Sequence, residues 1–177
     1  MMKLKENKVQ AEMLSQQLRN SSSMFIQLRR GILGLSMVSA LSMQLISLYQ
    51  MGIIKHLPDP PLPHIDSDRV DASPDAYEKL ETPDAILALA NYAVTMTLTG
   101  MGAPDRAETQ PWIPLAMTGK IVFDTYQAAR LYINQAKVQK VYCFWCITAA
   151  AATALTVPLA IPEAYAAVSG LLKKFSS

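Results

Sequence analysis

The sequence predicts an all-α membrane protein: a four-helix bundle with an N-terminal amphipathic helix and an outer loop rich in proline and aspartate. Hydrophobic residues make up 51% of the 177 residues, and only 17% are charged. Three long stretches carry no charge, namely residues 31–54, 85–104 and 141–162. Each is long enough to cross about 30 Å of hydrocarbon as a helix. These observations predict a chain embedded in membrane lipid.

The first 30 residues form a separate polar segment. Within residues 3–20, apolar side chains recur at a helical period: Leu4, Ala11, Leu14 and Leu18. This pattern predicts an amphipathic helix on the membrane surface or on a partner, with a solvated tail as the alternative. The segment is too long and too polar for a cleavable signal peptide. The three serines at residues 21–23 then predict a hinge or a helix N-cap.

The first membrane span is predicted over residues 31–54, where small residues favour close helix contact. Gln44, near its middle, is expected to face the other helices, because an amide in the membrane needs a hydrogen-bond partner. Residues 55–81 then form an acidic, proline-rich loop with one short helical element at residues 74–80. The acidity of this loop favours the non-cytoplasmic side.

The second and third spans are predicted over residues 83–103 and 113–134. The second opens with Thr82 as N-cap, followed by a proline and an acid in the first turn. The third carries Lys120 and Asp124, which can pair on one helix face because they are four residues apart. A helix lying on the membrane surface is the alternative for this segment.

The fourth span is predicted over residues 139–161, with Cys143 and Cys146 near its start. Their i, i+3 spacing puts the two sulfurs on one side of a helix, close enough to form a disulfide. The first turn of a helix favours a thiolate, so the pair is capable of redox chemistry or metal binding. The alternative is two small apolar fillers. A zinc site is not expected, because a second pair of ligands is missing.

The chain therefore divides into an N-terminal segment (residues 1–30), a membrane domain (31–162) and a C-terminal tail (163–177). Basic residues in the end segments predict that both termini lie in the cytoplasm. The formal net charge of +2 and the lack of a basic aromatic patch exclude nucleic acid as a partner.

Two pieces of the sequence resemble the vitamin K epoxide reductase family of bacteria and eukaryotes. The first is Cys-Phe-Trp-Cys-Ile-Thr at residues 143–148, at the outer end of the last helix. The second is residues 73–92, where a serine precedes a helix opened by a proline and a polar residue, with a tyrosine two turns later. The resemblance covers residues 31–162. It implies a four-helix membrane enzyme that couples a Cys-x-x-Cys pair to a quinone.

The resemblance also implies roles for individual residues. A disulfide between Cys143 and Cys146 would oxidise the thiols of a partner protein and pass electrons to a quinone of the menaquinone, ubiquinone or phylloquinone type. Cys146 would face the quinone, and Cys143 would exchange with the electron donor. Asp84, Tyr92 and Ser73 would bind the quinone, and Asp84 can donate a hydrogen bond only when protonated. The expected location is the bacterial inner membrane.

The chain departs from the family pattern in its loop. Family enzymes carry a second cysteine pair after the first helix, but residues 55–81 contain no cysteine. A partner thiol must therefore reach Cys143 directly, or exchange is lost. Ala150 stands where the family often has a tyrosine. No thioredoxin-like domain is expected in the chain, so the partner would be a separate thioredoxin-like or other thiol protein.

The alternative hypothesis is a structural subunit that has kept the scaffold and lost catalysis. Such a subunit would bind other membrane subunits through the N-terminal helix or through the Lys120 and Asp124 face of the third helix.

Overall fold

The computed structural model describes the backbone of residues 2–175 and the side chains of residues 7–174, and every regular element in this part is a helix. The α-helices are α1 (Met2–Asn20), α2 (Met24–Gln50), α3 (Ser67–Asp71), α4 (Asp84–Gly100), α5 (Arg106–Thr109), α6 (Trp112–Asn134) and α7 (Phe144–Phe175). Short 3-10 helices lie at Pro74–Ala76 and Lys79–Glu81, and a π-helical turn at Gln135–Gln139 follows α6. The predicted all-α class is confirmed.

Helix α1 is polar and mostly exposed along its described side chains. Leu14 and Leu18 are half-buried, Ala11 is exposed, and the side chain of Leu4 lies outside the described residues. The guanidinium of Arg30 donates a hydrogen bond of 2.9 Å to the carbonyl oxygen of Leu18. The end of α1 is therefore held against the start of α2.

Helix α2 packs against both α4 and α7, and α7 also packs against α6. Small buried serines lie one turn apart along α2: Ser36, Ser39 and Ser42. Ser39 Oγ donates a hydrogen bond of 3.1 Å to the carbonyl oxygen of Ala149 on α7. Small residues allow helix backbones to approach closely, as the sequence predicts for this face. Helices α4 and α6 pack less closely against each other.

Two helices of the described chain are long and apolar enough to cross a membrane, Met24–Gln50 and Phe144–Lys174. Helix α4 has 17 residues, which at 1.5 Å per residue is about 26 Å, less than the thickness of a bilayer core. Helix α6 is longer, but it carries charged side chains along its length. Of the four predicted spans, therefore, the first (in α2) and the fourth (in α7) lie in helices that are both long enough and apolar enough to cross a membrane.

Helix α2 begins seven residues before the predicted span, at Met24. Ser23 is its N-cap, since its Oγ accepts a hydrogen bond of 3.4 Å from the backbone N–H of Ile26. The prediction for Gln44 is wrong: its side chain is exposed, because the helical period turns it away from the buried stripe. Gln50 supplies the polar contact instead, and its Nε2 donates to Asp84 Oδ1 at 2.8 Å.

The start of α4 also differs from the prediction. The N-cap is Pro83, and Thr82 does not cap the helix, because its Oγ1 donates to the carbonyl oxygen of Leu80 at 2.9 Å. Leu80 has a positive φ of 56°, which interrupts any regular helix there. The element predicted at residues 74–80 is consequently two separate 3-10 turns.

The charge pair on α6 forms as predicted. Lys120 and Asp124 make an ion pair, and Asp124 is only 7% exposed. Across the helix interface, Asn91 Nδ2 donates to Asp124 Oδ1 at 3.0 Å, and Lys120 Nζ donates to Thr95 Oγ1 at 3.1 Å. The pair is therefore engaged with α4, and the structure does not support the predicted outward face for other membrane subunits.

The connection between α6 and α7 corrects the predicted fourth span. The chain reverses at Lys140, which has a left-handed φ of 57°, and α7 begins only at Phe144. Helix α7 then continues to Phe175, through Pro158 and Pro162 and through the segment predicted to be a tail. Packing supports the helix beyond the prolines, where further residues are buried: Glu163 and Ala167.

A buried ion cluster lies on α7 well beyond the cysteines, around Glu163. Glu163 Oε1 accepts hydrogen bonds of 2.9 Å from Nε of Arg29 on α2 and from Nε of Arg106 on α5. The exposed fractions of Arg29, Arg106 and Glu163 are 4%, 0% and 2%. The sequence analysis assigned no buried partner to any of the three residues, so only the structure reveals this cluster.

Candidate active site

Cys143 occupies the N-cap position of α7. Its Sγ accepts a hydrogen bond of 3.0 Å from the backbone N–H of Cys146, and its carbonyl oxygen accepts one of 3.0 Å from Ile147. Its own N–H donates to Oε1 of Gln135 at 3.2 Å. A donor at the positive end of a helix stabilises a thiolate more than a thiol. The Cys143 sulfur is thus the one that receives a backbone donor at the start of α7.

Cys146 lies in the first turn of α7, beside an aspartate from the loop. The two cysteines are free thiols in the structure. The thiol of Cys146 donates to Asp71 Oδ1 at 3.6 Å, and the two sulfurs and a carboxylate oxygen of Asp71 all lie within 4.8 Å of one another. The geometry therefore joins two sulfurs and one carboxylate in a single cluster.

Asp71 brings a buried carboxyl to this cluster. Its side chain is 2% exposed, and its Oδ2 has no hydrogen-bond partner among the described residues. Burial raises the pKa of the Asp71 carboxyl to about 7. The hydrogen bonds from the two thiols lower this pKa, and the charge of Asp84 raises it. A carboxyl with this pKa can both accept and return a proton near neutral pH.

The loop between α2 and α4 covers Cys143, which is fully buried. The N–H of Tyr142 donates to the carbonyl oxygen of His64 at 2.8 Å, and the N–H of Asp66 donates to the carbonyl oxygen of Tyr142 at 3.0 Å. Ser67 Oγ accepts a hydrogen bond of 3.0 Å from the N–H of Phe144. These bonds fasten the loop to the chain on both sides of Cys143, so a partner thiol reaches Cys143 only when the loop moves.

Replacing Ser67 with alanine should loosen this cover. The Ser67 hydroxyl also donates to Asp59 Oδ1 at 2.6 Å, so the change removes two hydrogen bonds. Losing about 1 kcal/mol for each bond, about 2 kcal/mol together, predicts that Cys143 becomes alkylated about thirtyfold faster. Mass spectrometry of a Cys146→Ser background, in which Cys143 is the only cysteine, measures this rate.

The control for that experiment is Thr82→Ala, in the same loop. Among the residues that the structure describes, the Thr82 hydroxyl donates only to the carbonyl oxygen of Leu80 and makes no bond to the segment around Cys143. Equal alkylation rates in the Ser67→Ala variant and in its parent would show that the loop does not protect Cys143.

A cavity of about 920 Å³ lies between α4 and α6, where these helices pack less closely. Cys146, Asp71, Asp84 and Tyr92 line it, so the structure brings two of the predicted quinone-binding residues to the redox pair. Ser73 is not among the described residues that line the cavity, and its Oγ accepts a hydrogen bond of 3.3 Å from the side chain of a nearby glutamine. The volume is in the range of ligand sites.

The polar side chains in this cavity are held by second partners. Asp84 Oδ1 accepts from Gln50 Nε2 at 2.8 Å, and the backbone N–H of Ala85 donates to Gln50 Oε1 at 3.3 Å. The hydroxyl of Tyr92 shares a hydrogen bond of 3.0 Å with Thr153 Oγ1. These contacts hold Asp84 and Tyr92 in place in the lining of the cavity that Cys146 also borders.

The model of the vitamin K epoxide reductase family matches residues 31–161. This chain belongs to the vitamin K epoxide reductase family. No curated protein and no solved structure matches the chain significantly. The family comprises membrane-integral oxidoreductases that act on thiols and quinones. Its matched range contains the cysteine pair, the loop that covers it and the cavity beside it.

This member of the vitamin K epoxide reductase family differs from the family pattern around its cysteines. Its loop brings a carboxylate, Asp71, to the sulfurs and no thiol, since residues 55–81 contain no cysteine. Ala150, at the position where the family often has a tyrosine, lines the cavity together with Cys146.

Sequence reasoning missed Asp71 as a site residue, because it is one of many acids in the loop. One pattern could have identified it. Ser67, Val70 and Asp71 fall on one face of a helix, and this short α3 buries all three. An aspartate on the buried side of an otherwise exposed acidic loop indicates a partner inside the fold. Gln50 is hydrogen-bonded to Asp84, and Gln135 to the backbone N–H of Cys143. No sequence pattern of this kind identified either glutamine.

Proposed function

We propose that this family member is an integral-membrane thiol:quinone oxidoreductase. It oxidises the thiols of a separate thioredoxin-like or other thiol protein through a Cys143–Cys146 disulfide and passes electrons to a quinone of the menaquinone, ubiquinone or phylloquinone type. The observation that carries this proposal is that Cys146 lines a ligand-sized cavity while its sulfur contacts Asp71.

We further propose that α2, α4, α6 and α7 form a four-helix bundle in a bacterial inner membrane. The two apolar helices α2 and α7 support this arrangement, and α4 and α6 complete it by packing on them. The acidic loop then lies on the outer side, with both termini in the cytoplasm. This orientation puts the cysteine pair at the outer rim, within reach of a thiol protein.

In the thiol half-reaction, a partner thiolate attacks Cys143 Sγ of the disulfide, and Cys146 leaves as a thiolate. A second partner thiolate then attacks the partner sulfur of the mixed disulfide and releases Cys143. The N–H of Cys146 stabilises the charge on Cys143 Sγ as it leaves. The partner gains a disulfide, and its two thiol protons end on Cys143 and Cys146.

In the quinone half-reaction, the two electrons and two protons of the cysteine thiols leave as the disulfide forms again, and a bound quinone accepts them as the corresponding quinol. The residues of the chain prepare this step. Asp71 Oδ1 takes the proton of the Cys146 thiol, with which it is already hydrogen-bonded. Asp84 and Tyr92, which line the cavity together with Cys146, would orient the ring.

A second candidate function is a catalytically inactive structural subunit. The full burial of Cys143, together with the absence of loop cysteines, favours this alternative. In that case the cysteines and Asp71 would serve only the packing of α3 against α7.

Quinone reduction by the purified chain separates these two functions. In detergent, the reduced wild-type protein should convert a water-soluble quinone to quinol with repeated turnover when a dithiol is supplied. The Cys143→Ser/Cys146→Ser double variant should remain at the background rate of dithiol and quinone alone, because no disulfide can form. Equal rates for the two proteins would favour the structural subunit.

A further inference from the structure

The cluster of Cys143, Cys146 and Asp71 has the dimensions of a metal site. Zinc binds sulfur at about 2.3 Å and carboxylate oxygen at about 2.1 Å, and a tetrahedral arrangement then separates these two ligand atoms by about 3.6 Å. The distance between Cys146 Sγ and Asp71 Oδ1 is 3.6 Å. The Cys143 sulfur completes a set in which all ligand atoms lie within 4.8 Å of one another.

The electrostatic surroundings also favour a cation. The charged neighbours that act on Asp71 are themselves acids, Asp84 and Asp59. Asp71 is 2% exposed, and its Oδ2 is a buried acceptor with no partner among the described residues. A buried carboxylate among acids is costly unless a positive charge compensates it. A divalent ion between the two sulfurs and Asp71 would supply that charge.

We propose that the reduced chain binds one zinc ion through Cys143 Sγ, Cys146 Sγ and a carboxylate oxygen of Asp71. A coordination position remains open toward the cavity for water or an added thiol. Two thiolates with one carboxylate suit zinc better than a softer ion such as Cu(I), which prefers sulfur alone.

Zinc binding at this position changes no oxidation state. The two thiol protons are released to solvent as two zinc–sulfur bonds form. The disulfide form offers no thiolate and so does not bind the ion. A bound zinc ion consequently holds the pair in its reduced form and keeps it from closing to a disulfide. This inference does not depend on quinone chemistry, since it concerns only the reduced cluster.

Zinc titration of the purified full chain, in competition with a chromophoric chelator, tests the proposal. The reduced protein should bind one zinc ion per chain, and the same protein oxidised to its disulfide should bind none. The Asp71→Asn variant should bind zinc at least about tenfold more weakly. Asp75→Asn is the matched control, because Asp75 is an exposed acid of the same loop, and it should bind as the wild type does.

A second measurement keeps the test decisive if Asp71→Asn fails to fold. Cobalt(II) added to the reduced wild-type protein should give the thiolate-to-metal absorption and the visible bands of a tetrahedral site, and zinc should abolish both. Absence of these bands, binding of zinc by the oxidised protein, or equal zinc affinity of folded Asp71→Asn and Asp75→Asn would each overturn the proposal.

Discussion

Replacing Asp71 with asparagine is expected to lower the turnover number for quinone reduction about a hundredfold. In the structure, the Asp71 carboxylate accepts the hydrogen bond of the Cys146 thiol. Asparagine has nearly the same shape and can accept that hydrogen bond, but it cannot take the proton. A positioned proton acceptor contributes about 10²–10⁴ in rate, and the lower end applies because solvent can replace part of its role. Steady-state assays with a dithiol and a soluble quinone measure the effect.

The control for this prediction is Asp75→Asn, which changes an exposed acid at the rim of the same cavity. Its turnover number should stay within about twofold of the wild type. The quinone concentration at half-maximal rate should change little in Asp71→Asn, because Asp71 acts on the cysteine thiol and not on the ring. If Asp71→Asn kept its turnover number but bound quinone poorly, Asp71 would be a binding residue and the proposed proton transfer would be wrong.

Replacing Glu163 with glutamine is expected to cost about 3–5 kcal/mol of folding free energy. The Glu163 carboxylate is the counter-charge of two buried guanidiniums, those of Arg29 and Arg106. Arg106 also donates to the carbonyl oxygens of Leu98 at 2.7 Å and Met101 at 2.6 Å, at the negative end of α4. Those carbonyls offset the positive charge of Arg106 in part. Glutamine at position 163 would nevertheless leave both guanidiniums without an anionic partner.

Thermal unfolding in detergent, followed by helical circular dichroism, measures this loss. Glu108→Gln on α5 is the matched control, because Glu108 is exposed and its change should not shift the transition. Any Glu163→Gln protein that remains folded should keep its quinone reductase activity. The reason is distance: 20 helical residues separate Cys143 from Glu163, which is about 30 Å along α7. Equal unfolding temperatures for the two variants would contradict the assigned role of the cluster.

The covered position of Cys143 changes how the missing loop cysteines are understood. A loop that carried its own cysteine pair could pass electrons inward without uncovering Cys143. Here the loop is fastened beside Cys143 through His64, Asp66 and Ser67, and it contributes only the Asp71 carboxylate to the sulfurs. A thiol partner of this chain must therefore displace the loop, so the strength of these few hydrogen bonds controls its access.

The sequence predicted those properties that depend on neighbouring residues. Stretches without charge indicated apolar helices, which the structure contains as α2 and α7. Spacing by four residues indicated the pair of Lys120 and Asp124, and spacing by three brought Cys143 and Cys146 to one helix end. These predictions succeeded because helix geometry fixes which residues share a face, whatever the rest of the chain does.

Local patterns failed wherever a distant residue decided the outcome. The predicted fourth span ends at residue 161, yet packing of the following residues on α2 and α5 carries α7 through Pro162 to Phe175. Gln44 and Gln50 are alike in the sequence, and only the rotation of α2 against its neighbours turns one outward and the other toward Asp84.

The sequence by itself determined the helical class, the apolar segments and the cysteine pair with its place at a helix start. The tertiary structure alone decided that Asp71 meets Cys146 from 75 residues away, and that Glu163 meets Arg29 from 134 residues away. The physical reason is that a buried charge is tolerated only where the complete fold supplies its partner, and the sequence pattern around an aspartate or an arginine does not contain that partner.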